Sequence, residues 1–105
     1  MRAIDPRVRS ALCALGSQYA RKGVRVFLFG SVARSWPLAA VGADFDLGYE
    51  IEPAVPARDQ LRRELERDTE LLPSIRPVDL VDFSRAPAEF RTAAAQCILD
   101  LAHAS

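Results

Sequence analysis

Ile4, Val8, Ala11, Leu12, Leu15 and Tyr19 recur at spacings of three and four, which predicts a helix with one apolar face. Asp5 and Pro6 supply an N-cap and a first helical residue, Lys22 ends the pattern, and Gly23 closes it. Val24 to Phe29 is an apolar, β-branched-rich run of the kind found in central strands. Gly30 breaks it. Ser31 is placed to cap a short helix reaching about Trp36, which Pro37 ends, and Leu38 to Ala43 reads as a small-residue loop. From Asp44 to Ile51 the period becomes two: Phe45, Leu47, Tyr49 and Ile51 face one way, and Asp44, Asp46, Gly48 and Glu50 the other.

Pro53 and Pro56 mark a loop before a charged helix from about Ala57 to Leu72, which turns Leu61, Leu65, Leu71 and Leu72 inward. Pro73 and Pro77 bracket the next turn. Val78 to Phe83 predicts a third strand, with Asp79, Val81 and Phe83 on one face and Val78, Leu80 and Asp82 on the other. A last helix is expected over Ala88 to Ala102, striped by Phe90, Ala94, Cys97, Ile98 and Leu101. The order α-β-α-β-α-β-α predicts an α/β (α+β) fold, a small mixed sheet of about three strands flanked by helices. At 105 residues, one domain spanning 1–105 is expected.

Charge narrows the partners. Fourteen basic and fourteen acidic residues cancel, which argues against a dedicated duplex nucleic-acid binder and leaves a small nucleotide open. Cys13 and Cys97 sit in apolar patterns without framework spacing and are expected to be reduced thiols of a cytoplasmic protein. Asp5, Arg7 and Arg9 interrupt any secretory apolar core near the start, and no run reaches membrane-spanning length.

Asp44 and Asp46 are two apart on a strand, so their Cα atoms lie roughly 6–7 Å apart on one face. Such carboxylates can converge on a hard cation, or on two; they can equally be a solvated strand face. An EF-hand is excluded, because its sixth and twelfth positions counted from Asp44 are Tyr49 and Val55. Gly30-Ser31, a strand ending at a helix start, suits a phosphate or an ordinary turn. Arg34 follows within reach of the same phosphate or as a surface residue. Asp79 is an acid within an apolar strand that needs a cation or donors, either by sharing the Asp44/Asp46 site or by pairing with Arg76. The lone His103 reads as surface, whereas Trp36 and Tyr49 are either packing or a stacking platform for a base.

Gly30-Ser31, then Asp44-Phe45-Asp46-Leu47, then an acid within Val78-Asp79-Leu80-Val81-Asp82 together resemble the minimal, single-domain members of the DNA polymerase β-like nucleotidyltransferase superfamily. The resemblance implies that superfamily's fold and a nucleotidyltransferase activity. It implies that Gly30, Ser31 and Arg34 bind the triphosphate, that Asp44, Asp46 and Asp79 hold two Mg2+ ions, and that Asp79 draws the acceptor's proton. The substrate would be ATP, with AMP moving to a protein hydroxyl. Such members are typically the antitoxin of a pair whose toxin is an all-helical HEPN ribonuclease, and some adenylylate a tyrosine on it. Transfer to a small molecule such as an aminoglycoside, or neutralisation by binding alone, are the alternatives, and a homo- or hetero-oligomer fits each. Three positions depart from the pattern: Ser35 where Gly is frequent, Ala43 where Ser commonly precedes the first Asp, and an apolar Trp36–Gly42 connection.

Overall fold

The computed structural model describes residues 1–104. Its elements run β1 (Arg2–Ala3), α1 (Pro6–Ala20), β2 (Val24–Phe29), α2 (Gly30–Ser35), β3 (Leu38–Ala39), β4 (Phe45–Ile51), α3 (Arg58–Glu70), β5 (Val78–Asp82), α4 (Ala88–Ala94) and β6 (Ile98–Asp100). The main sheet has the order β5-β4-β2-β6, and β1 with β3 forms a separate two-stranded ribbon. The mixed α/β class is as the patterning predicts. The strand count is larger than the expected three, because short extended segments close both ends of the chain against elements already in place.

β4 is parallel to β5 and antiparallel to β2, and β2 is antiparallel to β6. The alternation in β4 sorts its residues as predicted: Phe45, Leu47, Tyr49 and Ile51 enter the main core. Val8, Leu12, Leu15 and Tyr19 of α1 and Leu65 of α3 meet them there, together with Val24, Val26 and Leu28 of β2. Gly16 belongs to this packing, since a Cβ on it would lie 2.5 Å from Leu101 Cβ. The Tyr19 hydroxyl donates to Asp68 Oδ2 at 2.6 Å, tying α1 to α3, and burial followed by that hydrogen bond raises its pKa.

On the opposite sheet face, Phe27 and Phe29 of β2 pack with Phe83 in a smaller aromatic cluster. Phe90 of α4 joins it edge-on, with ring centroids 5.8 Å from Phe29. Arg62 of α3 anchors the β5 edge: its Nε donates to Tyr49 OH at 3.1 Å, and its Nη2 lies 3.2 Å from Asp82 Oδ2. Burial pushes the Asp82 carboxyl up, but hydrogen bonds from Ser84 and the charges of Arg62 and Arg85 outweigh it and leave its pKa lowered.

Three expectations are corrected. The final helix does not reach Ala102: α4 stops at Ala94, and Ile98–Asp100 become a strand. The backbone explains the change, because β2 is a buried central strand with an otherwise unpaired edge, and β6 supplies partners for Phe27, Leu28 and Phe29. The Leu38–Ala43 loop contains β3, which pairs with β1 near the N-terminus. Leu71 is exposed, not inward, because α3 ends one residue before it. No described helix is long and apolar enough to cross a membrane.

Gly48 lies where the two aromatic strands converge. A Cβ there would come within 2.5 Å of Phe83 Cε1 and also meet Phe27, whose ring packs edge-on against Phe83 at 4.7 Å. Gly48→Ala is therefore expected to overpack the cluster and destabilise the fold by about 1–3 kcal/mol. Urea unfolding checks this: the midpoint should fall while the slope stays unchanged, and an unchanged midpoint would show that the rings yield without cost.

Candidate active site

Antiparallel β2 ends where β4 and β5 begin, so one end of the sheet gathers three chain segments. Phe29 at the end of β2 is paired with Asp46. Asp46 is in turn in register with Asp79 on β5. Residues in register on neighbouring parallel strands project to the same face, with strands about 4.8 Å apart. Two carboxylates thirty-three positions apart in sequence are thereby made neighbours by register alone.

Gly30 turns the chain over this pair. Its φ is +76°, a left-handed conformation that glycine tolerates best. A Cβ on it would stand 2.8 Å from Asp46 Oδ2, so the backbone conformation favours glycine and any side chain there would displace the Asp46 carboxylate. Ser31 is exposed and lies inside α2 rather than capping it, for α2 begins directly from Phe29 without a side-chain cap. Arg34 is in the last turn of α2, exposed and in no ion pair among the described residues.

Asp44 is not a strand residue; it is exposed, one position before β4. Its loop is held from the side by Arg76, the residue weighed as an ion-pair partner for Asp79. Arg76 Nη1 donates to the carbonyls of Ala40 at 3.1 Å and Ala43 at 3.5 Å. The Phe45 N–H donates to Pro77 O at 3.0 Å. Arg76 thus secures the approach to Asp44 instead of pairing with Asp79. Its signal in the sequence is only an Arg between a turn and a strand, which identifies no acceptor. Ser35, one of the three departures, is similarly structural: its hydroxyl donates to Leu38 O at 2.6 Å and joins the end of α2 to β3.

The carboxylates carry unbalanced charge. None of Asp44, Asp46 and Asp79 has an ion-pair partner among the described residues. Burial raises the pKa of Asp46, and the charges of Asp79 and then Asp44 raise it further. Hard oxygen donors with surplus negative charge suit a hard cation such as Mg2+. The fit is one of chemistry and charge rather than of a finished cage: among the described residues, no group of three or more His, Cys, Asp or Glu side chains is gathered closely enough to hold a metal ion. Like charges without a counter-ion repel one another, which favours such an open arrangement.

The remaining candidates lie elsewhere. Tyr49 is buried in the main core on the face opposite Asp46, with its hydroxyl on Arg62. Trp36 packs on the main core, so neither aromatic is a stacking platform here. His103 is exposed at the far end of the sheet, beside a cleft of about 370 Å³ that Val24 and Ile51 also line. Cys13 and Cys97 are free and half-buried, as expected of reduced thiols. An arginine-lined groove by Arg58, Arg63 and Arg85 is separate from the carboxylates. The cavity touching Gly30 and Arg34 is a smaller one, about 220 Å³, beneath α4.

No protein-family model matches the chain, and no curated protein is similar to it. Among solved structures, the chain is similar to one from a crystal structure of a toxin-antitoxin with AMP-PNP, at 20% identity and a TM-score of 0.53. The match covers 89% of this chain and 71% of that one. At that identity, the likeness concerns the fold.

Asp46 gives a stability test of this electrostatic arrangement. A carboxyl whose folded pKa is raised binds more protons in the native state than in the unfolded one, so stability falls as pH rises through that window. Asp46→Asn is accordingly expected to melt at a higher temperature than the native chain at pH 7, with the gap closing below the carboxylate range. Millimolar magnesium should raise the native melting temperature and leave the variant's nearly fixed. A variant less stable at neutral pH and indifferent to acid would refute the charge-repulsion account.

Proposed function

We propose that the chain is a minimal nucleotidyltransferase that moves AMP from ATP to a hydroxyl on a toxin partner, acting as the antitoxin of the pair. The observation that carries the reading is the in-register placement of Asp46 beside Asp79, under the Gly30 turn. The likeness in fold to a toxin-antitoxin protein solved with AMP-PNP supports both a nucleotide ligand and a toxin partner. The proposed acceptor is a tyrosine of a HEPN-type toxin, following the resemblance in motif order.

In this reading Gly30, Ser31 and Arg34 hold the triphosphate. Gly30 lets the backbone approach, Ser31 offers an exposed hydroxyl, and Arg34 brings an exposed guanidinium that no described carboxylate pairs with. Asp44, Asp46 and Asp79 would hold magnesium, which supplies charge neutralisation at the phosphates and the oxygens of the displacement. The acceptor oxygen attacks the α-phosphorus, its bond to pyrophosphate breaks, and pyrophosphate leaves with the electron pair. Asp79 is the more exposed member of the Asp46/Asp79 pair and is assigned the acceptor proton.

A second reading, a binding antitoxin without catalysis, is favoured by the open arrangement of the carboxylates. One assay separates the two. The chain is incubated with ATP labelled at the α-phosphate, magnesium and the protein encoded beside it, in parallel with Asp46→Asn and Asp79→Asn. Transfer predicts label on the partner with the native chain and a loss on the order of 10²–10³-fold in each variant, as for removal of a group that stabilises transition-state charge. Neutralisation of the toxin by all three proteins without label would establish the binding reading instead.

A further inference from the structure

We propose that the cavity beneath α4 is a nucleobase pocket, in which the purine ring of the nucleoside triphosphate stacks against Phe90. The proposal rests on the nucleotide reading above and adds to it where the base goes and how selectively it is held.

The cavity is continuous with the phosphate turn. Gly30 and Arg34 form one side of it, and Phe29, Phe90, Ala93 and Cys97 contribute to the rest. Gly30 is also the residue whose missing side chain leaves room for Asp46, so the cavity and the carboxylates share a wall. A ligand whose phosphates lie at Gly30 therefore has its remaining part adjacent to this space.

Size and chemistry select the occupant. At about 220 Å³ the cavity is below the roughly 300–1,000 Å³ of a cleft that encloses a whole ligand. It admits one ring system. Phe90 is 39% exposed despite its ring contacts with Phe29 and Phe83, so part of an aromatic surface remains free at the site. The edge-on packing against Phe29, with planes 86° apart, holds the Phe90 ring in one orientation.

The same lining limits selectivity. Apart from Arg34, and the weakly polar thiol of Cys97, it offers no side chain able to read a base edge by hydrogen bonding. Stacking tolerates any base and favours the larger ring, so adenine and guanine should be held nearly alike.

Equilibrium binding of ATP, GTP and tripolyphosphate in magnesium buffer tests the assignment, with the native chain, Phe90→Ala and Ala93→Leu. Ala93 is exposed on α4, so the leucine narrows the cavity without entering a core, and it keeps the test decisive if loss of Phe90 loosens α4. ATP and GTP are expected to bind the native chain within about threefold of each other, and both variants should weaken them about fivefold or more. Tripolyphosphate affinity should not change. Adenosine alone should also slow iodoacetamide alkylation of Cys97 while leaving Cys13 unaffected.

Unchanged ATP affinity in both variants, an equal loss for tripolyphosphate, or an unaltered Cys97 rate would overturn the pocket and leave the transfer reading standing. A native chain that binds neither ATP nor tripolyphosphate would overturn both.

Discussion

Strand β4 works under two opposed demands, and the architecture follows from how they are divided between its faces. One face carries Phe45, Leu47, Tyr49 and Ile51 into the main core, where α1 and α3 cover them. The other begins with a charged residue, Asp46, next to a second acid, Asp79, on the neighbouring strand. A period of two lets one strand satisfy both demands, because adjacent side chains point to opposite sides of the sheet. A one-residue slip would exchange the faces, placing Asp46 among leucines and Phe45 beside Asp79. The apolar core thereby fixes the register that creates the carboxylate pair.

Residues with no chemistry of their own keep that pair aligned. Arg76 bonds the carbonyls of Ala40 and Ala43, and Pro77 O accepts from Phe45 N–H, so the start of β4 is held from the β5 side. Ser35 joins the end of α2 to β3. Gly30 is restricted both by its left-handed backbone and by the nearness of Asp46. The charge surplus costs stability, as the raised pKa of Asp46 records, and no described side chain relieves it through an ion pair. The cost falls at the one end of the sheet where the Gly30 turn and both in-register acids meet.

Local patterning made much of this legible. The helical period of α1 and the alternation of β4 place their residues on the faces where they are found, because each pattern is set by one dominant core. Residue patterning leaves the Asp46/Asp79 neighbourhood as one of two alternatives for Asp79, and the resemblance in motif order favours it, since no local rule predicts which strand lies beside which. The C-terminal segment departs from its helical pattern for a related reason. Ile98 and Leu101 fit a helical stripe, yet the unpaired edge of β2 is a distant feature, and its hydrogen-bonding requirement decides the conformation of residues 98–100. Arg76 and Ser35 were equally hidden, because their acceptors are backbone carbonyls, which every residue carries.

The strand formed by residues 98–100 matters for the site itself. A continuous helix to Ala102 would have hidden Phe90 and Cys97 in one apolar stripe. Instead, the break after Ala94 sends the chain back along β2, leaving α4 short, with Phe90 over the aromatic cluster and the cavity between α4 and the Gly30 turn. Satisfying the backbone of β2 is therefore what brings an aromatic surface to the carboxylate end of the sheet. Gly48 allows the same convergence from beneath, since any side chain there would push Phe27 and Phe83 apart. The aromatic cluster consequently joins two functions in one piece of packing: it fills the second face of the sheet, and it fixes the position of the one ring, Phe90, that remains partly open beside Gly30.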